Sequence, residues 1–106
     1  GVIINLSSIT ADGNLGQIAY ATAKSALIGL SNTIGKELGK YGIRGVSLSL
    51  GYIETTSTIK ALGEEKIKLQ KRNNPMKRIG NANEVINAID FIISNKFRIK
   101  KYFVTF

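Results

Sequence analysis

The chain contains no cysteine and no histidine. That excludes disulfides, a thiolate nucleophile, an imidazole base and the usual zinc sites. Acid–base chemistry must therefore come from tyrosine, lysine, serine or carboxylates, and no metal site is expected. No apolar run approaches the roughly 18 residues needed to cross a bilayer, so no membrane association is expected. Residues 2–6 are too short, and lack the basic start, for a secretory leader. Neither an internal repeat nor a low-complexity tract occurs. Acidic residues are scarce, seven against fifteen Lys and Arg, which leaves a net charge of +8. Residue 1 is Gly and the one methionine is Met76, so the chain is expected to be processed or a piece of something longer.

What is present is an ordinary globular composition: 106 residues, 43% hydrophobic and 21% charged. One small domain fits that length, and a disordered, collagenous or rod-like chain does not. The positive charge favours anionic partners such as nucleotide phosphates, an acidic protein or nucleic acid. However, the basic residues are spread out. Lys66, Lys68, Lys71, Arg72, Lys77 and Arg78 form one loose group, and Arg98, Lys100 and Lys101 another. No aromatic residues interleave the first group as a base-stacking platform requires, so nucleic acid is not the expected partner. The lack of cysteine suits a reducing compartment, the cytoplasm or a reducing organelle lumen.

Residues 2–6, Val-Ile-Ile-Asn-Leu, read as a short strand buried on both faces, the type found in parallel sheets. Residues 9–18, with Gly13, Asn14 and Gly16, read as a loop. From about residue 19 to 40 the pattern is helical, with Ala23, Leu27, Leu30, Ile34 and Leu38 marking one apolar face and Gly39 and Gly42 stopping it. Residues 43–50 read as the next strand, broken by Gly51, and 52–62 as a Thr- and Ser-rich loop. Glu64 to Asn73 reads as a charged helix. Asn81 and Glu84 have the spacing of a capping box, ahead of a stripe of Val85, Ile86, Ile89, Ile92 and Ile93. Residues 102–106 suit a last strand. The order is β-α-β-α-α-β. Strand, long helix, strand is a βαβ unit, whose ligands sit beyond the carboxyl ends of the strands. Ser7-Ser8 and Gly51 lie there.

Tyr20 and Lys24, four apart at the start of the long helix, share a face. A free phenol has a pKa near 10, and working near neutrality needs a shift of about three units, roughly 4 kcal/mol. An ammonium about 4 Å away supplies that order of energy at an effective dielectric near 20. A serine hydroxyl at the adjacent strand end can hold a carbonyl oxygen. Tyrosine, lysine and serine thus suffice to protonate a carbonyl without histidine. The pair alone is a weak motif. Its order is more telling: a strand ending in Ser-Ser, a Gly-rich loop, then Tyr-Ala-Thr-Ala-Lys opening an Ala-rich helix.

Ile-Ile-Asn-Leu-Ser-Ser at 3–8, Gly-Gln-Ile-Ala-Tyr-Ala-Thr-Ala-Lys-Ser-Ala-Leu-Ile-Gly-Leu at 16–30, Lys-Glu-Leu at 36–38, Gly-Ile-Arg at 42–44, Gly-Tyr-Ile-Glu-Thr at 51–55 and Arg-Ile-Gly at 78–80 with Glu84-Val85 closely resemble the C-terminal half of the short-chain dehydrogenases/reductases. The likeness runs from residue 1 to about 95 and is strongest to the 3-oxoacyl-[acyl-carrier-protein] reductases of fatty acid synthesis.

The resemblance implies an α/β fold, the C-terminal half of a Rossmann-like doubly wound parallel sheet without its N-terminal nucleotide-binding half. Residues 1–106 would be a partial domain with a divergent tail at 96–106. It implies an NAD(P)-dependent oxidoreductase interconverting carbonyl and hydroxyl groups, inactive as the isolated chain, with NADPH favoured over NADH. Tyr20 would protonate the substrate oxygen. Lys24 would assist the phenol and hold the nicotinamide ribose. Ser8 would position the carbonyl, preferred to Ser7 on strand register although loop spacing favours Ser7. Gly51, Ile53 and Thr55 would lie against the nicotinamide amide. The substrate would be an acyl thioester or other small carbonyl compound, free or on an acyl-carrier protein. The complete protein would be a homodimer or homotetramer, with the surface of Gly29, Gly35 and Gly39 as a contact. The charged helix at 64–73 would be a lid whose charge suits an acidic carrier.

There are departures. Leu50-Gly51 replaces the family's Pro-Gly, Val46 replaces an Asn, and residues 98–106 lack the family's glycine-containing ending. No G-x-G-x-x-G occurs in these residues. A non-catalytic remnant or binding subunit is therefore the alternative reading, and a basic nucleic-acid binder a third.

Overall fold

The structure, a computed structural model, describes residues 1–97 and 102–104. They form two compact units. One comprises Gly1–Leu50 with a late third strand; the other comprises Gly51–Lys96.

In the first unit, β1 (Val2–Ser8), β2 (Arg44–Leu50) and β3 (Tyr102–Val104) form a parallel sheet in the order β1-β2-β3. Val2 is level with Arg44 and Ser8 with Leu50, and Leu48 pairs with Tyr102. The long helix α1 (Ile18–Leu38) makes the connection between β1 and β2. The expected loop at 9–18 begins with a 3₁₀ turn at Ile9–Asp12. The α-helix ends at Leu38, and its C-cap is Gly39. Gly39 keeps right-handed helical dihedrals and leads into a second 3₁₀ turn, which stops at Gly42, with φ of 74°. There the left-handed conformation suits glycine, which has no Cβ to clash with the following carbonyl oxygen. The last strand is three residues long; residues 98–101 and 105–106, including part of the expected strand and tail, lie outside the described residues.

The stripe expected to face the sheet is only partly the one that does. Leu27, Ile34 and Leu38 are half-buried, but Ala23 is exposed and Leu30 is 49% exposed. The buried line runs instead through Ser31, 1% exposed. Steric fit explains this. A Cβ on Gly45 of β2 would collide with the Ser31 carbonyl oxygen and lie 2.9 Å from Ile34 Cβ and 3.0 Å from the Gly35 amide nitrogen. The helix therefore rests on the sheet through small residues. Asn5 donates to Ser31 Oγ (2.9 Å) and Ser7 Oγ to the Lys24 carbonyl (2.7 Å), tying β1 to the same helix face. Ser47, level with Asn5, has a buried hydroxyl without a partner among the described residues. On the other face of β2, Val46 and Leu48 are 3% and 0% exposed.

The second unit holds α2 (Thr56–Leu62), α3 (Glu64–Asn73) and α4 (Ala82–Ser94). Residues 52–62 were expected to be a loop, yet α2 forms there. Thr55 caps it by accepting the Thr58 N–H at 3.1 Å, which outweighs the modest helix propensity of its Thr and Ser residues. Gly80 bridges the segment after β2: its N–H bonds the Tyr52 carbonyl (2.9 Å) and its carbonyl accepts the Glu54 N–H (2.7 Å). Glu54 is paired with Lys71 at 3.3 Å. Ile53, Ile67, Ile79 and Ile92 are the buried apolar residues of this unit. The α4 stripe divides: Ile92 is 1% exposed, whereas Ile86 and Ile93 are 51% and 53% exposed.

The expected capping box is present. Glu84 N–H bonds Asn81 Oδ1 at 3.1 Å, and Asn81 N–H bonds Glu84 Oε2 at 2.9 Å. Arg78 adds a two-pronged ion pair to the same carboxylate, at 2.9 and 2.6 Å. The Arg78 hydrogen bond, then the Asn81 N–H, hold the Glu84 pKa down to about 2, and the pair raises that of Arg78. A carboxyl depressed in the folded state contributes stability above its unfolded pKa and loses it as the pH falls. Stability of the chain is thus expected to decline between about pH 4.5 and pH 2, and Glu84→Gln is expected to flatten that part of the profile. Acid titration followed by circular dichroism checks it; an unchanged profile in the variant would assign the decline to other groups.

Candidate active site

Tyr20 is the third residue of α1 and 47% exposed. One turn on, Lys24 places Nζ 5.6 Å from the Tyr20 ring centroid. The helical spacing alone brings the two together, as the sequence indicated. Lys24 is held from β1: its ammonium donates to the Leu6 carbonyl at 2.9 Å, and its own carbonyl accepts the Ser7 hydroxyl. The lysine is therefore fixed at both ends by the last residues of β1.

The two serines differ. Ser7 is 4% exposed and its hydroxyl is consumed by the Lys24 carbonyl. Ser8 is half-buried at the strand end. Its Oγ accepts the Thr10 N–H at 3.2 Å and lies 2.9 Å from Thr10 Oγ1. Ser7 thus ties strand to helix, while Ser8 shapes the turn leading away from the strand. Between Ser8 and Tyr20, a turn at residues 14–17 closes through Gln17 N–H to the Asn14 carbonyl (3.2 Å) and Asn14 Nδ2 to Gln17 Oε1 (3.0 Å). Gly16 sits there at φ 76°.

Gly51, Ile53 and Thr55 belong to the second unit. Ile53 is 8% exposed. The groups bonded to Gly80 belong to Tyr52 and Glu54, so the alternation of an extended segment turns the N–H and C=O of Ile53 away from Gly80. Thr55 spends its hydroxyl on the cap of α2. Of the glycines expected at a subunit contact, Gly35 faces Gly45 of its own sheet, while Gly29 and Gly39 meet open space.

Sequence reasoning did not find the partner of Arg78, which clamps the start of α4, or the Lys71–Glu54 pair. The Arg-x-x-Asn-x-x-Glu spacing at 78–84 was the available signal for the first; the second joins residues 17 apart and leaves no periodic trace. Among the described residues no helix is long and apolar enough to cross a membrane, and no group of three carboxylates could hold a metal ion.

A parallel βαβ unit with Tyr-x-x-x-Lys opening its helix agrees with the comparisons. A family model described as enoyl-(acyl carrier protein) reductase matches residues 1–100, and the chain belongs to the short-chain dehydrogenase/reductase family. It is similar to the 3-oxoacyl-[acyl-carrier-protein] reductase of Aquifex aeolicus (strain VF5), 37% identical over 95 residues, which are 89% of this chain and 38% of that protein. It is also similar to a rat 3-oxoacyl-[acyl-carrier-protein] reductase, 39% identical over 92% of this chain and 40% of the relative. A solved short chain dehydrogenase/reductase family protein superposes with a TM-score of 0.85 at 28% identity, covering 98% of this chain and 43% of the other. An NAD+-bound xylitol dehydrogenase, 24% identical, shares the fold with a TM-score of 0.86, over 98% of this chain and 47% of that one. The chain thus spans about two fifths of the length of these proteins.

Proposed function

We propose that residues 1–106 are the proton-transferring segment of a nicotinamide-dependent oxidoreductase that interconverts carbonyl and hydroxyl groups. The observation that carries this reading is the Lys24 ammonium 5.6 Å from the Tyr20 ring, in a chain of the short-chain dehydrogenase/reductase family. Tyr20 donates its phenolic proton to the oxygen of the carbonyl being reduced. The Lys24 charge favours the phenolate that remains, so the proton loss is offset where it occurs. Ser8, not committed to the strand–helix tie, holds the carbonyl oxygen. The bound cofactor supplies the hydride. Lys24 and Tyr20 suit its nicotinamide ribose, and Gly51, Ile53 and Thr55 its carboxamide; the backbone groups that Ile53 turns away from Gly80 are the fitting donor and acceptor.

The finer reading is an acyl thioester as substrate and NADPH as reductant. The names of the Aquifex and rat relatives support the substrate. The exposed Lys66, Lys68 and Arg72 on α3 suit an acidic carrier protein delivering it. A homo-oligomer in a reducing compartment, cytoplasm or organelle lumen, fits the family and the absence of cysteine.

The test is a chimera in which the 95 aligned residues of this chain replace their counterparts in the Aquifex aeolicus reductase. It is expected to reduce acetoacetyl thioesters, faster with NADPH than with NADH. A chimera that folds and binds NADPH yet turns over no carbonyl substrate would overturn the reading in favour of a non-catalytic segment.

A further inference from the structure

A serine hydroxyl has one proton to give and two lone pairs to fill. Ser7 spends its proton on the Lys24 carbonyl at 2.7 Å. Ser8 is placed differently. Its Oγ accepts the Thr10 N–H at 3.2 Å, which fills one lone pair, and lies 2.9 Å from Thr10 Oγ1. That second contact has two polarities. With Ser8 donating, its proton is used and none remains for a carbonyl oxygen. With Thr10 donating, both lone pairs of Ser8 are filled and its proton is free. Thr10 is itself held from two sides: its N–H is bonded to Ser8, and its carbonyl accepts the Gly13 N–H at 3.0 Å. Both hydroxyls belong to half-buried residues, where a hydrogen bond is stronger than in open water.

We infer that Thr10 sets the direction of the Ser8 proton. With a carbonyl group in the site, the hydroxyls run in one chain, from Thr10 O–H to Ser8 Oγ and from Ser8 O–H to the carbonyl oxygen. No proton leaves either hydroxyl; the proton that the oxygen gains comes from Tyr20. The chain has two effects. It aims the Ser8 proton, and it polarises the Ser8 O–H, because a hydroxyl that accepts a hydrogen bond donates a stronger one. The benefit grows as the oxygen gains negative charge during reduction, so it is larger in the transition state than in the bound substrate. Thr10 acts through Ser8 and touches no reacting atom. The inference rests on the reading of Ser8 as the group that holds the carbonyl oxygen.

The test is a double-mutant cycle in the chimera, with acetoacetyl thioester and NADPH. Thr10→Val keeps the N–H bond and the branched Cβ and removes only the hydroxyl. It is expected to lower kcat about three- to tenfold, the scale of one neutral hydrogen bond, while KM and the NADPH dissociation constant stay within about a factor of two. Thr10→Ser returns the hydroxyl and is expected to recover most of the lost rate. On a Ser8→Ala background, Thr10→Val is expected to cost nothing further, because the hydroxyl it serves is gone; a role in the turn alone would cost the same in either background. Thr10→Ala repeats the comparison if valine lowers the melting temperature. A Thr10→Val variant at the parent rate, a serine variant as slow as the valine one, or equal losses with and without Ser8 would overturn the inference while leaving Ser8 in its role. Ser8→Ala at the parent rate would overturn the reading of Ser8 and this inference with it.

Discussion

Tyr20→Phe in the chimera is expected to lower kcat by about two to four orders of magnitude while the dissociation constant for NADPH stays within a factor of a few. The substitution removes one oxygen from a side chain that is 47% exposed, so packing changes little. General-acid catalysis by a positioned side chain contributes on the order of 10²–10⁴ in rate, and in this chain no histidine or cysteine can take over. Lys24→Ala is expected to harm both rate and cofactor affinity, because in the proposed reading the ammonium serves the phenol and the ribose together. Steady-state kinetics with acetoacetyl thioester and fluorescence titration of NADPH separate the two effects. Activity of Tyr20→Phe within a factor of a few of the parent would remove the tyrosine from the chemistry.

Gly45→Val is expected to be the most destabilising single change in the strand–helix unit. A Cβ there meets the Ser31 carbonyl oxygen and the Gly35 amide nitrogen, and backbone atoms cannot rotate aside as a side-chain tip would. Overpacking a close contact costs roughly 1–3 kcal/mol and more when the backbone must move. At the upper end of that range, a domain of this size loses roughly 12–24 °C in melting temperature. Gly45→Ala meets the same atoms and is expected to fall between the two. Thermal melting by circular dichroism decides it. A Gly45→Ala variant melting within a degree or two of the parent would show that α1 shifts freely over β2.

The elements with a strong local signal were legible. β1, α1, α3 and the Asn81–Glu84 capping box appear where apolar periodicity and cap chemistry put them, because their determinants lie within a turn or two of one another. Tyr20 and Lys24 come together for the same reason. What was not legible depended on distant contacts. The sheet-facing line of α1 follows Ser31 and Gly35 instead of Leu30, since Gly45, ten residues beyond Gly35 in sequence, admits only small neighbours. The helix α2 was hidden by Thr and Ser residues of middling propensity, though its cap, Thr55, stood in plain view. Ile86 and Ile93 belong to the α4 stripe by periodicity alone, which cannot tell an apolar residue that is covered from one that is not. Ser7 and Ser8 are adjacent and chemically identical, and what tells them apart is the burial of Ser7, its hydrogen bond to the Lys24 carbonyl and the bonds of Ser8 to Thr10.

In the proposed reading these residues carry the proton-transferring groups but not the turn that grips the cofactor's phosphates. A dinucleotide is held chiefly by its pyrophosphate on a Gly-rich turn and helix N-terminus, and residues 1–106 contain no G-x-G-x-x-G. A few hydrogen bonds worth about 1 kcal/mol each do not offset the several kcal/mol of freedom lost on binding. Calorimetric or fluorescence titration of the 106-residue chain with NADPH and NADH is therefore expected to show no saturation below millimolar concentrations. Micromolar affinity in a pure preparation would contradict the claim, and would mean that these residues alone form a working cofactor site.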